Sequence, residues 1–397
     1  MSRSHRITSA AAAAMVAAAL VATPVAAAFS AQIVIRTAAA GRVPQVTDVA
    51  AAGARVVVGW IEDDAPAEGA DPRAWIRASD DGGQTFGAAS KIETDDAREL
   101  HLAICGGRYL YAVYAVDLRS PITPHKWSII SYERDLVTGA HWSEQISFSN
   151  GTARYPDVAC GSERVWIAWD DKEPGDPRHL FLTHSLIGPP ADHDWVLPAL
   201  DLGPAAGSAT GPTVAAVTGH AYVSWIANAG DLVIRLKRYT VGGAPGYAVA
   251  GLPIKTFAAP GDMVLQLLAA SGSRVALCYG ISGYGYGMYV RVSDDHAATF
   301  GGSVELAVPA ELGGIPESLA MRGKHVLVEA AIYWEGQSDT YRYRSTNAGG
   351  TFKRTMLGNN RGNRIGALKG SGANPKVVEA WDSWLYNGRK LRFHREL

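Results

Sequence analysis

Arginines recur at the same place in successive parts of this sequence, just before a strand-like run of alternating residues. The four arginines concerned are Arg42, Arg98, Arg154 and Arg364. A guanidinium binds a carboxylate through two parallel hydrogen bonds, so a convergent set of arginines favours an anion-binding site. The alternative is that these arginines pair with loop acids such as Glu99, Asp157 or Asp170. An acidic ligand is therefore the first hypothesis, and internal ion pairs are the second.

Histidines add a second kind of chemistry to the same region. His101, His125 and His179 fall near the predicted arginines. A polysaccharide lyase needs a His or Tyr that accepts a proton beside an arginine that neutralises a uronate carboxylate. The sequence has no metal-ligand motif, no nucleotide-binding loop and no serine-nucleophile motif. We therefore expect neither a metal nor another cofactor.

The elements that must carry these residues are repeated units. Each unit has a basic residue or His, followed by an alternating apolar strand that usually ends in an aromatic residue. The seven copies are Arg55–Trp60, Arg108–Tyr114, Arg164–Trp169, His220–Trp225, Arg274–Tyr279, Lys324–Glu329 and Lys376–Trp381. They are spaced by roughly 50 to 58 residues, and a further strand with period-two alternation follows each copy after a variable loop. The pattern predicts an all-β fold, a β-propeller of seven blades, with six blades as the alternative.

The two ends of the chain predict how the ring closes. The seventh unit has only three strands before Leu397, and a lone strand, Gln32–Arg36, precedes the first unit. An N-terminal strand that completes the last blade removes the exposed edge of that sheet. Residues 29–397 are therefore predicted to form a single propeller domain.

A short turn motif recurs directly after the third strand of three units. Its residues are Ser79, Asp81, Gly83, Thr85 and Phe86 in the first copy, and Asp295 or Asn347 at the matching acidic position of the later copies. The Asp or Asn side chain can accept backbone N–H bonds, and Gly supplies a positive φ. We interpret the motif as a structural device rather than as a catalytic site.

These turns resemble the Asp-box, or BNR, repeats of the sialidase superfamily. The element Arg42-Val-Pro44 also resembles the Arg-Ile-Pro element that precedes the first blade of sialidases. The resemblance covers most of residues 32–397 as architecture, but only the first unit as sequence detail. It implies a propeller in which an arginine cluster holds a sugar carboxylate. Sialidases are typically six-bladed, so seven units depart from the family pattern.

The resemblance further implies an exo-glycoside hydrolase that acts on an acidic glycan. Asp71 or Asp64, in the acidic loop of the first unit, would be the acid/base, and Tyr333 with Glu329 would form the nucleophile. Each of these residues also fits a plainer role, in a solvated loop or in strand packing. Two further functions stay open: a non-catalytic propeller that binds a glycan or a protein, and a lyase for uronate polysaccharides.

Composition and the N-terminus indicate where such a protein works. Hydrophobic residues make up 47% and charged residues 19%, which is a globular composition, and the net charge of −1 gives no case for a nucleic-acid partner. Residues 1–28 have basic residues, an apolar run and a small-residue site at Ala26–Ala28, the order of a secretion signal. We expect a secreted or periplasmic monomer that is not bound to a membrane once the signal is removed.

Export permits disulfides. Cys105 and Cys160 occupy the same place in two successive units, at the end of a strand. A bridge between neighbouring blades and two buried thiols both fit this placement. Cys278 lies in the middle of a strand and is interpreted as part of the core.

Overall fold

A computed structural model of the protein defines the fold. It describes residues 29–37, 42–64, 72–93, 96–118, 126–147, 151–172, 177–190, 195–197, 199–204, 210–228, 232–241, 248–250, 255–258, 262–282, 287–306, 313–334, 337–358, 364–369, 375–385 and 388–397. The predicted signal, residues 1–28, lies outside these ranges. No helix within them is long and apolar enough to cross a membrane.

The described strands form seven antiparallel sheets, one for each blade. β1 (Ile33–Thr37) comes before blade 1, which contains β2 (Arg42–Ala52), β3 (Arg55–Asp64), β4 (Arg73–Ser79) and β5 (Ser90–Lys91). Blade 2 contains β6 (Ala97–Cys105), β7 (Tyr109–Asp117), β8 (Trp127–Asp135) and β9 (His141–Gln145). Blade 3 contains β10 (Arg154–Cys160), β11 (Arg164–Asp171), β12 (His179–Leu186) and β13 (Leu200–Pro204). Blade 4 contains β14 (Thr210–Val217), β15 (His220–Asn228), β16 (Leu232–Val241), β17 (Ala248–Ala250) and β18 (Lys255–Ala258). Blade 5 contains β19 (Asp262–Ser271), β20 (Arg274–Ser282), β21 (Gly287–Ser293) and β22 (Val304–Leu306). Blade 6 contains β23 (Gly313–Arg322), β24 (His325–Trp334), β25 (Gln337–Ser345) and β26 (Lys353–Gly358). Blade 7 contains β27 (Arg364–Lys369), β28 (Lys376–Leu385) and β29 (Gly388–Arg395).

The first strand of each blade lines a central channel. These inner strands contact one another in the order β2, β6, β10, β14, β19, β23 and β27, and β27 returns to β2. The contacts confirm the prediction of an all-β propeller with seven blades, so the six-bladed alternative is wrong.

The second strand of each blade is apolar on both faces because neighbouring sheets stack against each other. In β3 the successive side chains of Val57 and Val58 point to opposite faces, and both are fully buried. The core between blades 1 and 2 joins Ile76 to Leu100 and Leu110. The seven segments that recur in the sequence are these second strands, which are buried on both faces.

The N-terminal strand closes the ring. β1 pairs with β29 in antiparallel register, with Ile33 opposite Phe393, and gives blade 7 its fourth strand. Arg36 of β1 also reaches blade 1, where its Nη2 donates to Glu62 Oε1 at 2.9 Å. The prediction that an N-terminal strand completes the last blade is confirmed.

Each of the three recurring turns is closed by hydrogen bonds within itself. The Ser79 hydroxyl donates to Asp81 Oδ1 at 2.8 Å and accepts the Gly83 amide at 2.8 Å. The Thr85 hydroxyl donates to Asp81 Oδ2 at 2.6 Å, and this bonding holds the pKa of Asp81 well below its usual range. Phe86 packs edge-on against Phe393 of the neighbouring blade, with ring centroids 4.8 Å apart. Asp295 accepts the equivalent Ser and Thr hydroxyls in blade 5. In blade 6, Asn347 Oδ1 accepts the Ser345 hydroxyl and the Thr351 amide, but its Nδ2 donates to the Thr351 hydroxyl.

A disulfide joins two blades. Cys105 at the end of β6 bonds to Cys160 at the end of β10, with their Cα atoms 5.3 Å apart. Of the two arrangements that the sequence left open, the structure has the interblade bridge. Cys278 is a buried free thiol, and burial raises the pKa of that thiol.

Candidate functional site

The central channel contains a cavity of about 730 Å³. Its charged and aromatic lining comes mainly from the inner strands of blades 1, 2 and 3. On this side they are Asp48, Asp63, Arg98, Glu99, His101, Tyr155 and Asp157, of which Asp63 is in the second strand of blade 1. The opposite wall is mostly small or apolar, as at Pro212 in blade 4 and Ile365 in blade 7, but it also carries Gln266 in blade 5 and Glu317 in blade 6. The candidate site is therefore on the side of the channel formed by blades 1 to 3.

Two of the predicted arginines meet on one tryptophan. Arg98 in β6 and Arg154 in β10 lie over the Trp127 ring of β8, with guanidinium carbons 5.2 and 5.1 Å from its centroid. The Arg98 side chain is 48% exposed, and its Nε bonds to Asp96 at 3.3 Å. Its two terminal nitrogens have no hydrogen-bond acceptor among the described residues. Within the described part of the site, these exposed nitrogens are available to an external acceptor.

Glu99 joins the two blades beside this tryptophan. Its Oε1 accepts Arg154 Nη2 at 3.0 Å, and its Oε2 accepts the Tyr155 amide at 2.7 Å. Arg154 Nε is buried and has no hydrogen-bond partner in the described part of the chain. The ion-pair alternative is thus realised for Arg154 with Glu99, while Asp170 pairs with Arg178 at 2.7 Å instead. Burial raises the pKa of Asp170 to about 7, although Arg178 opposes the shift.

The backbone is strained at the same point of both inner strands. Glu99 has φ of 57° and Tyr155 has φ of 49°, and each lies in an irregularity of strand register. The matching irregularity of β14 has Gly211, with φ of 56°. A side chain in this left-handed region costs about 1–2 kcal/mol relative to the right-handed one, whereas glycine adopts it freely. Such strain is concentrated at functional sites.

The remaining predicted site residues are only partly described. Arg42 begins β2 and Arg364 begins β27, so both backbones lie at the starts of inner strands, but their side chains are outside the described atoms. The same holds for the side chain of Asp64 at the end of β3 and for that of Tyr333 in β24. Asp71 lies outside the described residues altogether. The roles suggested for these five residues stay predictions.

Glu329 lies in a buried ionic network between blades 6 and 7. Its Oε1 accepts Arg342 Nη2 at 3.0 Å, and Arg342 also contacts Glu379, which contacts His394. The Glu329 carboxylate is fully buried. Its suggested partnership with Tyr333 stays a prediction.

Sequence reasoning named Glu99 as a candidate arginine partner, but it did not bring Glu99, Trp127 and Tyr155 together in one site. Glu99 and Tyr155 each follow a predicted arginine, which was the available signal. The convergence of Arg98 and Arg154 on Trp127 depends on bulge geometry and on packing between blades, neither of which leaves a periodic pattern.

No protein-family model matches the sequence, and the search of curated proteins gives no match. Among solved structures, an ulvan lyase that represents a new family of polysaccharide lyase is similar with a TM-score of 0.55 at 9% identity. The β-propeller domain of the Trilobed protease from Pyrococcus furiosus is similar with a TM-score of 0.50 at 11% identity. Each match covers 88% of this chain and 93% of the other.

The sialidase of Trypanosoma rangeli gives a TM-score of 0.47 at 10% identity over 78% of this chain. The chain spans 56% of the length of that sialidase. At such identities the two matches with TM-scores of 0.50 and 0.55 indicate the fold alone. The chain is thus a seven-bladed β-propeller whose structural neighbours include a polysaccharide lyase, a protease domain and a sialidase.

Proposed function

We propose that this protein binds an acidic glycan beside the central cavity, with its carboxylate held by Arg98 and Arg154. The observation that carries the proposal is the pair of guanidiniums that share the Trp127 ring. The strained backbone of Glu99 and Tyr155 supports it, because the fold retains side chains there at a cost in stability.

The free donors of the two arginines suit a carboxylate ligand. Arg98 offers two terminal nitrogens, and the buried Nε of Arg154 lacks a partner among the described residues. A carboxylate between them would make charge-assisted hydrogen bonds, which are stronger than neutral ones. Tyr155 is 38% exposed and lines the same cavity, so its ring is available to pack on a sugar.

Calorimetric titration of two probes, a galacturonate oligosaccharide and sialyllactose, tests the proposal. We expect Arg98→Ala and Arg154→Ala each to weaken binding roughly 10-fold or more, since a hydrogen bond to a charged group contributes about 1.5–3 kcal/mol. Arg274→Ala is the matched control, because that arginine pairs with the exposed Asp294 at a hairpin away from the cavity. Wild-type affinity in both site variants would rule the proposal out.

As an enzyme, the protein would first be a sialidase-like exo-hydrolase. Asp64 or Asp71 would be the acid/base and Tyr333 with Glu329 the nucleophile, as the resemblance implies. Hydrolysis of a fluorogenic sialoside that is lost in Arg42→Ala supports this version. Binding of acidic glycans without any turnover would leave a non-catalytic glycan-binding propeller.

A uronate lyase is the second candidate, and a specific observation favours it. His101 and Tyr155, two side chains able to accept a proton, line the same cavity as Arg98. Lyase action on polygalacturonate, alginate or ulvan would produce an unsaturated sugar that absorbs in the ultraviolet. A lack of ultraviolet-absorbing product with all three polymers would exclude this candidate for those substrates.

Export is part of the proposal. The predicted signal ends at Ala28, and the next residue, Phe29, already packs on the folded ring, 4.3 Å from His394 between ring centroids. The mature protein should therefore begin at Phe29. The N-terminal sequence of the protein recovered from the periplasm or medium tests this, and an uncleaved chain there would contradict it.

A further inference from the structure

Three neighbouring inner strands place titratable side chains on one stretch of the channel wall. Asp48 in β2, His101 in β6 and Asp157 in β10 are each the first paired residue after an irregularity of strand register. All three line the central cavity. The repeat therefore brings a carboxylate, an imidazole and a second carboxylate together across blades 1, 2 and 3.

Backbone amides fix both carboxylates. Asp48 accepts the next amide of its own strand at 2.6 Å and the Leu102 amide of blade 2 at 2.7 Å. Asp157 repeats the pattern, with the next amide at 2.8 Å and the Val214 amide of blade 4 at 2.7 Å. Each carboxylate thus ties its blade to the following one, and neither is free to swing into the cavity as an acid/base.

His101 lies between these two fixed charges. Its Nδ1 is 4.0 Å from Asp48 Oδ2 and 3.7 Å from Asp157 Oδ1, and its side chain is 40% exposed. Both carboxylates therefore face the Nδ1 edge of the ring. Nε2 is on the other edge and has no hydrogen-bond partner among the described residues. A histidine with one nitrogen toward a carboxylate and the other unengaged is arranged as a general base.

We infer that His101 is the proton-transfer residue of the channel and removes the proton next to the carboxylate of a bound uronate. The inference rests on the proposed function, since Arg98 or Arg154 must hold that carboxylate. Arg98 and Tyr155 line the same cavity as His101, so one sugar can contact the anion-binding and proton-accepting groups together. A guanidinium on the carboxylate stabilises the negative charge that develops when the proton leaves.

The step is balanced without a co-reactant. Nε2 of His101 takes the proton from C5 of the uronate, and the electron pair of the C–H bond forms a double bond between C4 and C5. The bond between C4 and the linking oxygen breaks, and its electron pair goes to that oxygen, which leaves as the anomeric oxygen of the departing sugar. The imidazolium gives its proton to this oxygen. Asp48 and Asp157 stabilise the imidazolium that exists between the two transfers.

Steady-state kinetics of His101→Gln tests the inference, with the polymer among polygalacturonate, alginate and ulvan that wild type converts fastest. We expect kcat to fall about 10²-fold or more, which is the usual contribution of a general base. Calorimetric affinity for the galacturonate oligosaccharide should stay within about threefold, because the arginines are intact. His141→Gln is the control, as His141 is exposed on the outer strand β9 and should leave kcat unchanged.

A second variant, His101→Ala, distinguishes a loss of proton transfer from a loss of folded structure. In His101→Ala the cavity gains the space of the ring, and added imidazole should restore part of the lost kcat, which a structural role of His101 would not allow. Retained kcat in His101→Gln, or wild type that binds the oligosaccharide but converts none of the polymers, overturns the inference and leaves the binding site standing. Unchanged binding in Arg98→Ala and Arg154→Ala overturns the proposed function instead.

Discussion

Glu99 and Tyr155 hold a backbone conformation that side chains rarely adopt, and both take part in the candidate site. Blade 4 has Gly211 at the matching point, where the same conformation is unstrained. Glu99 uses both carboxylate oxygens to hold Arg154 and the Tyr155 amide. At the scale of single residues, the site is therefore held by a carboxylate that spans two blades.

Substitution of Tyr155 tests whether the strain is linked to binding. Tyr155→Gly should be more stable than Tyr155→Ala by about 1 kcal/mol, because only glycine adopts the left-handed region without strain. Both variants lose the ring, so both should bind the acidic glycan more weakly than wild type. Urea unfolding measures the stability and calorimetry measures the binding. Equal stability of the two variants would contradict a strained backbone at Tyr155.

Asp157 predicts a pH dependence of stability. Burial raises the pKa of Asp157 to about 6 from its ordinary 3.8. The folded state therefore holds a proton that the unfolded state has released between about pH 4 and 6. Stability from this group is greatest below pH 4 and is lost as pH rises through 6.

Asp157→Asn removes this titration. The free energy of unfolding of the variant minus that of wild type should increase between pH 4 and 6 and be level above, with a total change of no more than about 3 kcal/mol. Urea unfolding at four pH values measures it. A difference that is constant with pH would show that Asp157 titrates normally in the fold.

At the scale of elements, one disulfide and one pair of strands organise the site. Cys105 and Cys160 end the strands β6 and β10, and the starts of the same strands carry Arg98 and Arg154. The bridge therefore holds the two strands together at one end of the channel, while Glu99 joins them at the other.

Removal of the bridge should destabilise the protein. Cys105→Ser with Cys160→Ser is expected to lower the free energy of unfolding by about 2–4 kcal/mol, mainly because the unfolded chain gains freedom. Reductant should lower the melting temperature of wild type to that of the double variant and leave the variant unchanged. A melting temperature of wild type that does not respond to reductant would contradict a stabilising bridge.

The sequence predicts the elements far better than their contacts. The recurring apolar segment identifies the seven second strands, because burial between stacked sheets requires apolar residues there. Arg98 and Arg154 are found because they precede inner strands. Asp157, suggested as an arginine partner, instead binds backbone amides, since its bulge turns it toward the channel. The direction in which such a side chain points is set by irregularities of strand register, and no local sequence pattern encodes these irregularities.

At the scale of the whole molecule, the N-terminal strand β1 contributes to the junction at which the ring closes. β1 pairs with β29 and reaches blade 1 through Arg36, so it connects the last blade to the first. Ile35 of this strand is buried in the core between those blades, whereas its neighbour Val34 is 43% exposed.

These adjacent residues form a matched pair of tests for closure. Ile35→Ala should lower the free energy of unfolding by about 2–5 kcal/mol, the cost of a cavity in a packed core. Val34→Ala should change it by no more than about 0.5 kcal/mol. Urea unfolding followed by tryptophan fluorescence measures both, and a small effect in both variants would mean that β1 does not contribute to ring stability.

The central claim is that Arg98 and Arg154 recognise a carboxylate. Calorimetric titration with a galacturonate oligosaccharide and with its neutral methyl ester tests it most directly, in wild type and in the Arg98→Ala, Arg154→Ala double variant. We predict that wild type binds the acid roughly 10-fold or more tightly than the ester, since bonds to a charged group are lost in the ester. The double variant should bind both forms equally weakly. Equal affinity of wild type for acid and ester, or an unchanged preference in the double variant, would contradict the account.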